Sequence, residues 1–167
     1  FRTELKKCLV AIKDAEKVEE TEEFMKSPIR DFLNNTFYKD HLVNTSKRID
    51  LAIYTGKDAE TEVAVIIETK RPSNKPEFLS EDNINKKALQ ELLLYYLRER
   101  IDNENNNIKT LIATNGYEWY LFKGEDFYKY FYKNTALVKE YTEWKNNQKD
   151  SSKTDSFYTD IAKKYIA

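Results

Sequence analysis

Two charged side chains stand at the end of an apolar run in this sequence, and a third lies upstream. Five apolar residues, Val63 to Ile67, predict a buried strand, and Glu68 and Lys70 follow it directly. Because successive side chains of a strand point to opposite faces, residues two apart share a face. Asp50 lies in RIDLAIYT, an alternating segment that a short polar turn separates from this strand. We therefore expect an antiparallel hairpin that brings Asp50 level with Glu68 and Lys70.

These three residue types suit the hydrolysis of a phosphodiester. Two carboxylates supply hard oxygen ligands, which Mg²⁺ prefers. A metal held there polarises the phosphodiester and lowers the pKa of a bound water, while the ammonium of Lys70 orients the water or stabilises the charge on phosphorus. An ordinary ion pair at an exposed strand end explains the same residues and contributes little to stability. The short motif alone leaves both interpretations open.

The segment at 84–100 is predicted to be a helix that is buried on most sides, because its middle is almost wholly apolar. Gln90 and Glu91 are the polar exceptions. Gln90 could hydrogen-bond Lys70, a metal-bound water or a DNA phosphate. Glu91 and Tyr95 are four residues apart and share a helix face. Alternatively, Gln90 and Glu91 both lie on one narrow stripe of the helix that faces solvent.

Hydrophobic periodicity predicts the elements that position these residues. We expect helices at 2–17, 21–35, 84–100 and 135–146, and strands at 48–55, 62–70, 108–114 and 117–122, with FYKYFY as a candidate continuation of the sheet. This order indicates an α/β sandwich with a mixed central sheet of four or five strands flanked by helices. We expect one domain over 1–146, and a linker with the start of a following domain over 147–167.

The composition excludes several classes of protein. With 40% hydrophobic and 34% charged residues, the chain is typical of a globular domain rather than a disordered one, and no apolar run is long enough to span a membrane. A single Cys8 and a single His41 exclude an internal disulfide and a zinc cluster, and they suit a cytoplasmic setting. The net charge of −1 does not indicate nucleic-acid binding, although basic residues can still cluster on one face. The first residue is not Met, so we expect a fragment of a longer protein.

The ordered series RID, IIETK, ALQELLLYYLRER and LIATNGYEWYLF resembles the PD-(D/E)xK nuclease superfamily. More narrowly, the chain resembles the N-terminal endonuclease domain of type IIG restriction–modification enzymes, which is related to the nuclease domain of type I motor subunits. The resemblance implies a restriction-endonuclease-like fold and a Mg²⁺-dependent, site-specific deoxyribonuclease acting on double-stranded DNA. It also implies that the full protein continues into a methyltransferase domain, which uses S-adenosylmethionine, and a target-recognition domain.

By position, the resemblance implies that Asp50 and Glu68 are metal ligands and that Lys70 is the catalytic lysine. It further implies that Gln90 is the glutamine of an accessory Gln-x-x-x-Tyr motif. The chain departs from that motif, because Leu94 stands where the tyrosine is expected.

The sequence leaves alternatives for two further parts of the family's site, the accessory motif and an additional acidic residue. Either the accessory motif is lost, or Glu91 and Tyr95 take its place. Such nucleases often add an acid from the first core helix, and Glu22 is the candidate because it lies on the stripe of Met25 and Ile29. Rival residues are Glu20 and Glu23. Ordinary acids in the first turn of a helix explain the same positions.

Several basic residues lie near the proposed site in sequence and are candidates for DNA phosphate contacts, namely Lys47, Arg48, Arg71 and Lys75. Such contacts position a duplex without reading its sequence, whereas a solvated surface explains the residues equally well. The chain shows no recognition-helix signature, so specificity would come from another part of the protein. The alternative function is a catalytically silent domain of the nuclease fold that serves as a DNA-binding or scaffolding module.

Overall fold

The computed structural model describes residues 1–18, 21–46, 48–147 and 153–166. The strands are β1 (Val43–Ser46), β2 (Ile49–Tyr54), β3 (Val63–Thr69), β4 (Thr110–Thr114) and β5 (Trp119–Lys123). The main helices are α1 (Arg2–Lys17), α2 (Glu23–Asn35), α3 (Lys87–Leu97), α4 (Gly124–Phe127) and α5 (Thr135–Asn147). π-Helical turns extend α3 over Arg98–Asp102 and α4 over Tyr128–Tyr132, and the last helix, α6, is π-helical over Phe157–Ala162 and α-helical over Lys163–Tyr165.

The five strands form one sheet in the order β1-β2-β3-β4-β5. β3 and β4 run parallel, and every other neighbouring pair is antiparallel. Parallel neighbours need a long crossover, and α3 supplies it between β3 and β4. The expected hairpin is present, with Leu51 opposite Ile67. The prediction of an α/β sandwich with a mixed sheet is confirmed.

Helices cover both faces of the sheet. Because side chains alternate along β2 and β3, each of these strands contributes apolar residues to both faces. On one face, α1 and α2 bury an apolar cluster against the sheet, which we call the α1–α2 layer and which contains Cys8, Ile12, Met25, Ile29, Phe32, Leu33, Leu51, Ile53, Val65 and Ile67. On the other face, α3 to α6 bury the larger cluster, which we call the α3 layer and which contains Ala52, Ile66, Leu92, Leu93, Tyr96, Leu111, Phe127, Leu137, Tyr141 and Phe157. A sheet that is buried on both faces reads as apolar runs such as VAVII, as β3 does.

The helix α2 contains Pro28 in its interior. Proline removes one backbone hydrogen bond of a helix. The burial of Met25, Ile29, Phe32 and Leu33 on the sheet compensates, because packing of an apolar face supplies most helical stability in proteins.

Two parts of the fold differ from the sequence-based expectations. β1 was not expected, and the prediction that FYKYFY continues the sheet is wrong, since α4 and its π-helical extension occupy this stretch. The aromatic residues favour strands in isolation. Here Phe127 and Phe131 are four apart on one helix face, with ring centroids 4.9 Å from each other, and Phe127 also contacts Tyr96 at 5.3 Å.

The last described segment packs into the α3 layer, where the sequence analysis placed a linker and the start of a further domain. Phe157, Tyr158, Ile161 and Ala162 are buried there, and the ring of Phe157 lies 5.1 Å from that of Trp144. Residues 148–152 of the expected linker lie outside the described residues. Among the helices of the described ranges, none combines the length and the apolar surface that a membrane crossing requires.

The expected turn at Asn115-Gly116 connects β4 to β5. At this turn the backbone lies close to α1. Gly116 has a φ of +88°, which favours glycine. A Cβ at this position would lie 2.3 Å from Cδ1 of Ile12, which is fully buried. The side chain of Ile12 on α1 therefore packs against the turn at Gly116, with no room for a larger residue at that position.

We expect Gly116→Ala to lower the free energy of unfolding by about 1–3 kcal/mol, because it combines an unfavourable φ with overpacking. Ile12→Val removes the contacted Cδ1 and should cost about 1 kcal/mol alone. The double variant should lose less stability than the sum of the two single losses, since Ile12→Val removes the atom that Gly116→Ala would clash with. Urea denaturation of the four proteins measures this coupling, and strict additivity would contradict the contact.

Candidate metal centre

The side chain of Lys70 is the centre of a buried charge cluster. Its Nζ lies 2.5 Å from Oε1 of Glu68, 2.7 Å from Oε2 of Glu91 and 3.2 Å from Oε1 of Glu22. The backbone N–H of Lys70 donates to the carbonyl of Thr114 at 2.9 Å, which continues the β3–β4 pairing past the end of β3. The sheet therefore holds the residue rigidly where the two helical layers meet.

The burial of this cluster makes its charges interact strongly. Lys70 is 3% exposed and Glu68 is 2% exposed. Burial raises the pKa of Glu68 well above its ordinary value, and the negative charge of Glu91 raises it further against the opposing effect of Lys70. Burial alone would lower the pKa of Lys70, but the carboxylates of Glu68, Glu91 and Glu22 outweigh it and raise that pKa. The ammonium is therefore charged throughout the physiological range.

Asp50 lies beside this cluster and is oriented by β3 and α2. Its Oδ2 accepts hydrogen bonds from the backbone N–H of Thr69 at 3.0 Å and from Oγ1 of Thr69 at 2.8 Å. Its Oδ1 lies 3.0 Å from Nζ of Lys26. Burial opposes the charge of Lys26, but Glu23 and Asp50 raise its pKa. These contacts fix the Asp50 carboxylate at the end of the sheet.

Three carboxylates from three elements converge here. One oxygen each from Glu22, Asp50 and Glu68 lies within 4.8 Å of the other two. Glu22 precedes α2, Asp50 lies on β2 and Glu68 lies on β3, so the α1–α2 layer and the hairpin supply the three carboxylates together. The expected convergence of Asp50 and Glu68 is present, and Glu22, directly before α2, lies close to both.

The donor set fits a hard divalent cation. Mg²⁺ binds carboxylate oxygens and often takes only a few from the protein. Within the described part of the chain, the buried Oε2 of Glu68 has no hydrogen-bond partner. A buried carboxylate oxygen without a partner is costly, and a cation beside it would remove that cost. Glu22, Asp50 and Glu68 would hold such an ion.

The three candidates from α3 have different partners. Glu91 contacts Lys70 directly. Gln90 instead donates from Nε2 to Oδ1 of Asn85 at 2.9 Å, and Asn85 donates to the carbonyl of Ile166. Gln90 thus connects through Asn85 to the C-terminal segment and does not take the expected position beside Lys70.

Tyr95 is one helical turn beyond Glu91 and is buried. Burial raises the pKa of its hydroxyl, and the nearby charges of Glu68 and Glu91 raise it further. Tyr95 therefore remains neutral. It also lines a neighbouring cavity.

The basic residues expected to contact DNA lie in different settings. Arg48 is exposed and lines a cavity beside α3, Arg71 is half-buried directly after Lys70, and Lys75 is exposed in the following loop. Lys47 and Glu20 lie outside the described residues. Sequence reasoning missed Lys26, which pairs with Glu23 three residues before it on α2 and with Asp50 on β2.

The whole chain, residues 1–167, matches the model of one protein family, described as a domain of unknown function (DUF7149). No curated protein and no solved structure matches the chain.

We expect Lys70→Met to lower the free energy of unfolding by about 3–5 kcal/mol, because it leaves buried carboxylates without their cation. The matched control is Lys57→Met. Lys57 pairs with Asp40 at 2.9 Å on the surface, where both side chains are more than 70% exposed, and its loss should change the free energy by less than about 1 kcal/mol. Equal effects of the two substitutions in urea denaturation would contradict the central role of Lys70.

Proposed function

The chain belongs to the DUF7149 family, a domain of unknown function, and we propose that it is a Mg²⁺-dependent endonuclease domain that hydrolyses DNA phosphodiester bonds. The observation that carries the proposal is the convergence of Glu22, Asp50 and Glu68 within 4.8 Å beside a buried lysine. Carboxylates that bind a metal next to a fixed ammonium form a suitable arrangement for hydrolysis of a phosphodiester.

The roles of the residues follow from their contacts. Glu22, Asp50 and Glu68 would hold Mg²⁺, which when bound offsets negative charge at the scissile phosphate and lowers the pKa of a bound water. Lys70 orients the attacking water and stabilises the charge that grows on the phosphate oxygens. Its raised pKa makes it a donor of hydrogen bonds and positive charge rather than a base.

Glu91 acts on the reaction through Lys70. Its Oε2 lies 2.7 Å from Nζ of Lys70, on the side of α3. An ammonium held by Glu91 and Glu68 has little rotational freedom, so its hydrogen-bond direction is fixed before substrate binds. Glu91 is therefore a positioning residue, in the place that the resemblance assigned to Gln90.

The wider assignment extends the same proposal. We infer that the substrate is double-stranded DNA, since the motif series resembles restriction endonucleases and Arg71 lies directly beside Lys70. In that setting the domain would belong to a cytoplasmic restriction–modification enzyme. The same protein would carry a methyltransferase that uses S-adenosylmethionine and a target-recognition domain, which would supply specificity.

One observation favours a second candidate, a catalytically silent module of this fold. Both oxygens of Asp50 are engaged within the protein, by Thr69 and Lys26. Such internal neutralisation would suit a cluster that only fixes the docking of α2 and α3. The two candidates differ in metal binding and in cleavage.

We expect the protein to bind Mn²⁺ and Mg²⁺ in isothermal titration calorimetry, and Glu22→Gln to weaken binding about tenfold or more, since it removes a charged ligand. Glu23→Gln is the matched control. Glu23 is the next residue, is 69% exposed and pairs with Lys26, so its loss should leave metal affinity nearly unchanged. Similar losses in both variants would remove Glu22 from the ligand set.

We expect the full-length protein to nick or cut plasmid DNA with Mg²⁺ and to lose this activity in EDTA. Asp50→Asn and Lys70→Met should each lower the rate about 10²–10⁴-fold, because each removes a group that acts in the transition state. Glu23→Gln serves again as the control. Wild-type rates in both site variants would refute the assignment, whereas metal binding without cleavage would favour the silent module.

A further inference from the structure

A cavity of about 380 Å³ is lined by Tyr95, which lies one helical turn beyond Glu91 of the candidate metal centre. The turn before β2, the end of α3 and the face of α5 enclose it. Its wall includes Arg48, Arg98, Tyr141 and Trp144. Cavities of this size are in the range of small-molecule sites.

Most charged groups that the structure describes around this cavity have partners within the protein. Lys145 is 2.7 Å from Oδ1 of Asp102, and the hydroxyl of Tyr141 donates to Oδ2 of the same carboxylate at 2.8 Å. The remaining acid, Glu99, is buried and accepts hydrogen bonds from Asn103 at 2.7 Å and Asn105 at 3.2 Å. Both acidic side chains among the described residues of the wall are therefore engaged within the protein.

Arg98 is the exception. Its Nη1 is buried and, in the ranges that the structure covers, has no hydrogen-bond partner. Burial lowers the pKa of Arg98, and the positive charge of Arg48 lowers it further. A buried guanidinium donor without a partner, at the wall of a concave space, favours an anion beside it.

Three aromatic side chains also line the cavity. The rings of Tyr141 and Trp144 lie 6.1 Å apart with a tilt of 33°, and Tyr95 closes the inner end. Aromatic side chains of this kind stack on flat heterocycles, with a contribution of about 1–3 kcal/mol per base. The cavity thus combines a cationic part and an aromatic part within the space of one nucleotide.

We propose that this cavity binds one 5′-phosphorylated nucleotide, with the phosphate at Arg98 and the base against Trp144. The nucleotide is either free in solution or the 5′-phosphorylated end of a nucleic-acid strand, because both present the same chemical group. A planar guanidinium binds phosphate oxygens with two parallel hydrogen bonds, which suits the forked donors of Arg98. The proposal uses none of the carboxylates of the metal centre.

Fluorescence of Trp144 is a direct measurement of occupancy. In the Trp119→Phe background, Trp144 is the one remaining tryptophan, so a bound base should quench it. Titration in EDTA, which excludes a contribution from the metal centre, should show saturable binding of 5′-AMP or 5′-GMP. Adenosine and inorganic phosphate should each bind about tenfold more weakly or worse, because each lacks half of the recognised group.

The substitution Arg98→Gln separates binding from stability. It should weaken nucleotide binding about tenfold or more, while the melting temperature of the free protein stays the same or rises, since the repulsion with Arg48 is removed. Arg98→Lys keeps the charge but loses the forked donors, so its nucleotide affinity should lie between those of the wild type and Arg98→Gln. Arg30→Gln is the matched control, because Arg30 lies on α2 and pairs with Asp31 on the surface.

The source of the nucleotide is read from two further titrations. A short single strand with a 5′-phosphate that binds better than its 5′-hydroxyl form identifies a strand end, whereas binding of mononucleotides alone identifies a free ligand. Either result supports the proposal. Equal binding of 5′-AMP and adenosine, unchanged binding in Arg98→Gln, or no saturable quenching at millimolar nucleotide would overturn it.

Discussion

The ammonium of Lys70 is the one group on which the arrangement of this domain depends. Its three carboxylate partners come from the start of α2, from β3 and from the middle of α3. A buried charge must be paired, and loss of a partner costs several kcal/mol. The docking of both helical layers is therefore tied to one atom at the end of the central strands, where the apolar clusters that hold the layers together come to an end.

The same cluster carries more negative than positive charge. Its carboxylates that are at least two-thirds buried are Glu22, Asp50, Glu68 and Glu91, and its ammoniums are those of Lys26 and Lys70. Four negative charges against two positive charges leave an excess of two, which one divalent cation balances. The raised pKa of Glu68 is the protein's own response to this excess, because a proton on that carboxyl removes one of the charges.

The parts of the site that lie on neighbouring strands could be predicted from the sequence, because alternation and a short turn determine which residues of a hairpin are level. Asp50, Glu68 and Lys70 belong to this class. Glu91 remained one of three alternatives, since a helix that is buried on most sides gives no sign of which polar residue faces the strand end. Lys26 was missed because its contact depends on how α2 docks on the sheet. The helix at FYKYFY was missed because its aromatic residues suit a strand equally well until Tyr96 and Phe127 are packed together.

The helix α3 relates the two sites of the domain to each other. Glu91 contacts the metal centre and Arg98 lines the cavity, seven residues further on, which is two turns and about 10 Å along the axis. Residues at this spacing lie on nearly the same helix face, and Tyr95 stands between them. The excess of negative charge at the carboxylates repels a phosphate as long as no cation occupies them, whereas Arg98 has an unpartnered donor within the part of the chain that the structure describes. Binding of a cation removes that contrast, so a phosphate-bearing chain could then contact both sites across a single rigid element.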